Sequence, residues 1–242
     1  MNKLLRLACA SLCLAASAAA QAVTLNEDWS LDLNAALVSD YRFRGISQTL
    51  GDPALQGGAT LQHSSGAYAG IWSSNVDFGS GSRTRQEIDY MLGYNWAIDD
   101  NLSLDLSYLH YEYTHQSSLK SDEAGFQFNA YGLYVGGFYT PNLNDNSSSY
   151  LYLGYQTELP YELGLNLRYG EVDFKDDVLE RSNGKLRSRY NEWEVGLSKS
   201  LLSLDWSLSY VASDLSKSEC YSYNGYDDLC AATVVLGVSK SF

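Results

Sequence analysis

The residues of this chain that could do chemistry fall into three groups. His63-Ser64-Ser65-Gly66 sets a histidine beside hydroxyls, and His110 and His115 stand close to Ser117 and Ser118. A His–Ser pair becomes a hydrolytic centre only when an acidic group orients the histidine. No acid marks itself as that partner by spacing, and adjacent residues of an extended chain face opposite ways. Cys220 and Cys230 enclose a segment without histidine, which suits a disulfide better than zinc. The third group is charged: Asp40, Arg42, Arg44, Arg85, Glu87, Asp89 and Asp105. On extended chain, residues two apart share a face, so Asp40, Arg42 and Arg44 line up, as do Arg85, Glu87 and Asp89. Acids facing bases across a narrow aqueous lumen would orient a passing polar solute. Paired with each other, they would instead plug it. No cofactor and no metal site is expected.

The elements that must position these charges are strands. From Trp29 onward the odd positions read Trp29, Leu31, Leu33, Ala35, Leu37, Ser39, Tyr41 and Phe43. The even positions read Ser30, Asp32, Asn34, Ala36, Val38, Asp40, Arg42 and Arg44. Such alternation predicts one strand between an apolar and a polar medium. Trp29 to Tyr41, at about 3.3 Å per residue and a tilt near 40°, rises about 30 Å, close to a bilayer's hydrocarbon thickness. The sequence therefore predicts a transmembrane strand with lipid outside and water inside.

Composition agrees. The chain is 45% hydrophobic and 13% aromatic, with many Tyr and Gly and few Pro. Beyond the N-terminus, no run approaches the roughly 18 apolar residues of a spanning helix. Mean hydropathy is mildly negative, as polar lumen residues offset lipid-facing ones in a barrel. The N-terminus reads as an export signal, residues 1–22. Lys3 and Arg6 precede an apolar stretch, and small residues allow cleavage after Ala20 or Ala22. The net charge of −13 argues against nucleic acid, whose binding needs basic surface. It leaves open a pore that leans toward cations.

Taken in order, alternation predicts twelve antiparallel strands in one barrel domain over residues 23–242. Tyr68, Trp72, Val76 and Phe78 are expected outward, with Ser73, Asn75 and Asp77 inward. Residues 123–143 alternate on both phases and are read as two strands around Val135-Gly136-Gly137. Short turns at Ser64–Gly66, Asp99–Asn101, Pro160 and Leu201–Leu202 would share the periplasmic side. Lys175–Ser188 is read as a charged loop without periodicity. Most aromatics fall on the outward phase, as interfacial girdles; Tyr111 and Tyr113 fall inward. Val234, Leu236 and Val238 alternate up to Phe242, which looks like the C-terminal signal read by the barrel assembly machinery. Lys240 departs from it.

At Ser39-Asp40-Tyr41-Arg42-Phe43-Arg44-Gly45-Ile46-Ser47-Gln48-Thr49 and Pro53-Ala54-Leu55-Gln56-Gly57-Gly58 the chain resembles the TorF-type porin family. Ala69–Val76, Glu87-Ile88-Asp89-Tyr90 and Ser239-Lys240-Ser241-Phe242 also match. The resemblance implies a bacterial outer-membrane barrel classed as a porin, and supplies no substrate. The expected function is passive diffusion of small polar or charged solutes, without enzymatic activity. Expected partners are outer-membrane lipid and lipopolysaccharide, the assembly machinery and small solutes. The alternatives are a plugged, adhesin- or receptor-like barrel acting through its loops, and an outer-membrane lipid hydrolase.

Overall fold

The computed structural model describes residues 22–143 and 146–242. The predicted export signal therefore lies outside the described residues, apart from its last position, Ala22. Twelve antiparallel strands close into a barrel. They are β1 (Trp29–Val38), β2 (Ala54–His63), β3 (Ala67–Asn75), β4 (Gln86–Ala97), β5 (Leu102–Tyr113) and β6 (Ser121–Ala130). There follow β7 (Leu133–Leu143), β8 (Asn146–Leu159), β9 (Leu163–Asp173), β10 (Arg189–Leu201), β11 (Leu204–Ser213) and β12 (Thr233–Ser241). Each pairs with its neighbour in sequence, and β12 pairs with β1 from Gly237↔Val38 to Ser241↔Asn34. Closure leaves no sheet edge, which a strand in hydrocarbon requires.

One end carries tight turns, the other long loops. Tyr131 (φ 51°) and Gly132 (φ 86°) make the β6–β7 turn, and Leu202 (φ 56°) and Ser203 (φ 60°) the β10–β11 turn. Two positive-φ residues are what a two-residue hairpin of the right twist demands. The β6–β7 turn thus falls at Tyr131-Gly132, not at Val135-Gly136-Gly137. Gly136 and Gly137 instead lie inside β7, and a Cβ on Gly136 would come within 2.4 Å of the Tyr152 hydroxyl. The glycine is there to let an inward tyrosine lie across the neighbouring strand.

The outer face carries exposed Leu55, Leu92, Leu153 and Leu236 with Trp96, Tyr169 and Trp206. Taking a large apolar side chain out of water is worth about 1.5–3 kcal/mol, so this band belongs in lipid. Lys240 is on the same face, its Nζ 5.1 Å from the centroid of the Phe242 ring.

On β3 the observed phase is the reverse of the predicted one. Trp72 is buried inward while Ile71 is exposed, and the Tyr68 hydroxyl donates to Asp105 Oδ1 at 3.0 Å inside the barrel. Val76, just beyond the strand, is also buried. A Cβ on Gly93 would meet the Tyr68 ring at 2.2 Å, so the neighbouring strand is shaped to receive an inward aromatic. The outward face of β3 is made of small Ala69 and Ser73 beside Ile71, and hydropathy alone misassigns it.

Candidate functional site

The first long loop folds into the barrel. β1 ends at Val38, short of the strand predicted to run to Tyr41 and beyond. Arg42–Phe43 pairs with Ile46–Ser47 in a small hairpin, turning at Arg44 (φ 49°) and Gly45 (φ 86°). Asp40 organises its base. One carboxylate oxygen accepts from Ser47 Oγ at 2.6 Å and Thr49 Oγ1 at 3.3 Å. The other accepts from Arg42 Nε at 2.5 Å. The tip is close to β10, because a Cβ on Gly45 would meet Glu192 Cβ at 3.1 Å.

Arg44 reaches the far wall. Strand β7 is six places from β1 in either direction around the barrel, and Arg44 lands on the group of strands beside it. Its Nη2 donates to both oxygens of Glu123 on β6, at 2.9 and 2.8 Å. The guanidinium carbon is 4.5 Å from the Phe43 ring centroid and 4.6 Å from that of Tyr150 on β8. Glu123 also accepts from Tyr111 at 2.9 Å and Thr140 at 2.7 Å, and Tyr190 donates to the Arg44 carbonyl at 3.0 Å. The side chains of Arg44 and Glu123 are only 10% and 4% exposed. The hairpin is therefore a strut across the lumen.

A second charged group stands beside it. Arg168 on β9 pairs with Glu192 at 3.1 Å and Glu194 at 3.0 Å on β10. Tyr150 donates its hydroxyl to Glu192. Glu87 and Asp89 face the lumen from β4 and are buried, with Tyr113 donating to Glu87 at 2.8 Å. Among the described residues, inward positions nearer the tight turns carry Asp32, Asp105 and Asp205 but no Lys or Arg.

Five of the sequence-predicted lumen charges thus share one region, and Asp105 lies nearer the tight turns. Asp40, Arg42 and Arg44 arrive there on an inward hairpin and not on a strand. Arg85 does not join them. It precedes β4 at the long-loop rim, 62% exposed and 3.6 Å from Asp77, because its strand begins one residue later. The sequence reading missed Glu123, Arg168, Glu192 and Glu194. The signal was present: with Leu167 and Tyr169 outward, Arg168 must face inward, and Trp193 and Val195 imply the same for Glu192 and Glu194. It also assigned too many aromatics outward, since Tyr134, Tyr150, Tyr152 and Phe138 cluster inside.

The histidines sit elsewhere. His63 Nδ1 is 2.8 Å from Ser65 Oγ in an exposed tight turn, its ring against Trp29. His110 Nδ1 is 2.7 Å from Asp122 Oδ1 on the outer face. The second hydrogen bond to that Asp122 oxygen comes from Tyr108 at 2.6 Å, not from a serine.

A family model described as "Bacterial protein of unknown function (Gcw_chp)" matches residues 22–242. The chain belongs to this family. Comparison with curated proteins gave no match. Among solved structures, a KdgM porin is 10% identical with a TM-score of 0.50, over 88% of this chain and 98% of that one. A NanC porin is 11% identical with a TM-score of 0.52, over 86% of this chain and 97% of that one. At such low identity the likeness is one of fold, a porin-type barrel.

Over the strut lies a folded cap. Between β11 and β12, helix α1 (Lys217–Asn224) begins with a capping box, Ser216 with Glu219, and stops at Gly225 (φ 77°). The Cys220–Cys230 disulfide closes it. The segment Lys175–Ser188, read as a charged loop without periodicity, contains a short hairpin, Leu179–Glu180 with Leu186–Arg187, whose Leu179 packs into the same cluster as Ile46 and Leu229. Glu219 accepts from Arg187 at 2.6 Å, Arg181 at 3.2 Å and Ser216 Oγ at 2.6 Å. Burial pushes its carboxyl upward, but the hydrogen bonds from Arg187, Ser216 and Arg181 outweigh that and hold it at about 2.

A depressed carboxyl pKa contributes stability above the unfolded value, about 4.3, and loses it as pH falls through the folded one. The cap is therefore expected to loosen as pH drops from about 4 to about 2. The check is the near-ultraviolet circular dichroism of Tyr223, whose ring centroid is 4.8 Å from that of Phe174. Glu219→Gln should bring the loosened signal to neutral pH. An unchanged spectrum down to pH 2 would count against the Glu219 anchor.

Proposed function

We propose that the protein is a narrow outer-membrane channel for passive diffusion of small neutral or cationic polar solutes. The lumen residues Asp40, Arg42, Arg44, Glu87, Asp89 and Asp105 would set its selectivity, with the hairpin strut as its constriction. The observation that carries this reading is the lumen's charge. Arg42, Arg44 and Arg168 are each engaged by carboxylates, whereas Glu87, Asp89 and Asp105 have no basic partner among the ion pairs of the described residues. The field of these acids behind the lumen wall favours a cation over an anion, and the lumen arginines among the described residues are already paired. One structural neighbour is described as a KdgM porin in complex with disordered oligogalacturonate. The paired arginines argue against an acidic saccharide here.

The same reading makes this a TorF-type porin, exported by a cleaved N-terminal signal. The assembly machinery would recognise Val234, Leu236, Val238 and Phe242, and the finished barrel would sit among outer-membrane lipid and lipopolysaccharide. On this view the protein is a channel and not an enzyme.

The test is conductance of the refolded, heat-modifiable barrel in a planar bilayer under a salt gradient. Small discrete steps with a cation-leaning reversal potential are expected. An anion-selective pore would overturn the charge assignment. Silence would favour the second reading, a barrel closed by its strut that acts through the disulfide-bonded cap.

A further inference from the structure

We infer that Glu87 and Asp89 form, with Tyr41 of the strut, a binding site for a hard metal cation on the lumen wall. The site begins with register. Asp89 on β4 stands opposite Trp72 on β3 and Tyr111 on β5, and Glu87 opposite Ser74 and Tyr113. Both carboxylates face inward, and Tyr41 is brought over them by the strut, its ring edge-on to Trp72 with centroids 5.5 Å apart.

Tyr113 donates to one oxygen of Glu87, but most of the polar atoms gathered here have no protein partner among the described residues. Asp89 is 0% and Glu87 2% exposed. Among the described residues, both oxygens of Asp89, Oε2 of Glu87, the Tyr41 hydroxyl and Trp72 Nε1 have no hydrogen-bond partner. Tyr41 lies within reach of Glu87, but the geometry leaves its hydroxyl without a well-formed bond. Leaving buried polar atoms unpaired is destabilising, and the register sets Trp72 directly across from Asp89. The bases that could neutralise the carboxylates are spent: Arg42 on Asp40, Arg44 on Glu123.

Carboxylate and phenolic oxygens are hard ligands that suit alkali and alkaline-earth ions. Two carboxylates fall short of a three-ligand cluster, and none of that kind occurs among the described residues. Water would have to complete the shell, and the unpaired Trp72 N–H is available to donate to such a water. Tyr41 makes the site bipartite, so a bound cation would fasten the strut to the β4 wall. The inference needs only the fold, not conduction.

The experiment is thermal unfolding of the refolded barrel in lipopolysaccharide-free detergent at constant ionic strength and neutral pH. Sodium, calcium and the bulky cation N-methylglucamine are compared. Sodium or calcium should raise the unfolding midpoint saturably over N-methylglucamine, and the one that acts at lower concentration is the better fit. Asp89→Asn should lose the rise, and Glu87→Gln, in case the first variant fails to fold, should shift it to higher concentration. Equal midpoints in all three salts would overturn the site, as would a rise that persists in both variants. A silent bilayer with an intact cation effect would sink the channel and leave this site standing.

Discussion

Replacing Arg44 with alanine is expected to destabilise the barrel by about 3–5 kcal/mol, the cost of stripping one partner from a buried ion pair, and to enlarge the pore. Arg44 is the cross-lumen end of the strut. Its removal deletes both bonds to Glu123 and the stacking between Phe43 and Tyr150. Glu123 would keep the hydroxyls of Tyr111 and Thr140, so the loss should fall near the lower end of that range. Arg44→Lys should recover part of the loss, because one nitrogen, Nη2, already serves both Glu123 oxygens, but a lysine has no plane to stack between Phe43 and Tyr150. The pair is separated from packing by a double-mutant cycle with Glu123→Gln, read by urea unfolding in vesicles. A coupling energy near zero would mean that Arg44 acts as filler. In bilayers, Arg44→Ala should show larger unit conductance than the parent. An unchanged conductance with lowered stability would mean that the strut is structural and the flow path lies elsewhere.

Fold class was legible because it rests on a period. Strands such as β4 and β5 alternate over most of their length, interrupted at inward Met91 and Leu109, and a residue such as Tyr94 has one medium on each side of its backbone. The places where reading failed share a cause: the lumen of this barrel is itself apolar in parts. Once Trp72, Tyr134 and Tyr152 can be buried inward, an aromatic no longer marks the lipid face, and phase must be taken from partners. The strut was mistaken for strand because its alternation continues that of β1 through Val38. Nothing in Ser39-Asp40-Tyr41 says that the chain turns inward, since the partners of Arg44 lie some eighty or more residues away. The hairpin's own turn was readable, as Arg44-Gly45 admits positive φ. The cap was readable too: Ser216-Lys217-Ser218-Glu219 is a capping box and Gly225 its C-terminal stop, an eight-residue helix in a segment treated as loop.

Breaking the Cys220–Cys230 bond is expected to loosen the strut without unfolding the barrel. The bond closes a short segment, with a sequence separation of 10, and such cross-links typically contribute about 2–4 kcal/mol by limiting the open chain. Here β11 and β12 already tether both ends, so that contribution acts on the cap and not on the strands. The cap in turn holds the strut by three backbone carbonyl contacts. Arg42 Nη1 donates to Leu229 at 2.7 Å and Ala231 at 3.1 Å, and the Ser47 amide donates to Leu229 at 3.0 Å. Both acceptors sit beside Cys230, so freeing that sulfur releases the carbonyls that hold Arg42 and Ser47. The Arg44–Glu123 pair and the Tyr190 bond to the Arg44 carbonyl would then hold the tip of the strut, and brief openings should appear as flicker. The double variant Cys220→Ser with Cys230→Ser, which leaves no stray thiol among the described residues, should raise the opening frequency at unchanged unit conductance. A reductant should do the same to the parent and nothing further to the variant. If the parent's current is indifferent to reductant while mass analysis shows both thiols free, the cap does not restrain the strut. The constriction would then depend on contacts within the barrel, with Asp40 and Glu123 as its two anchors.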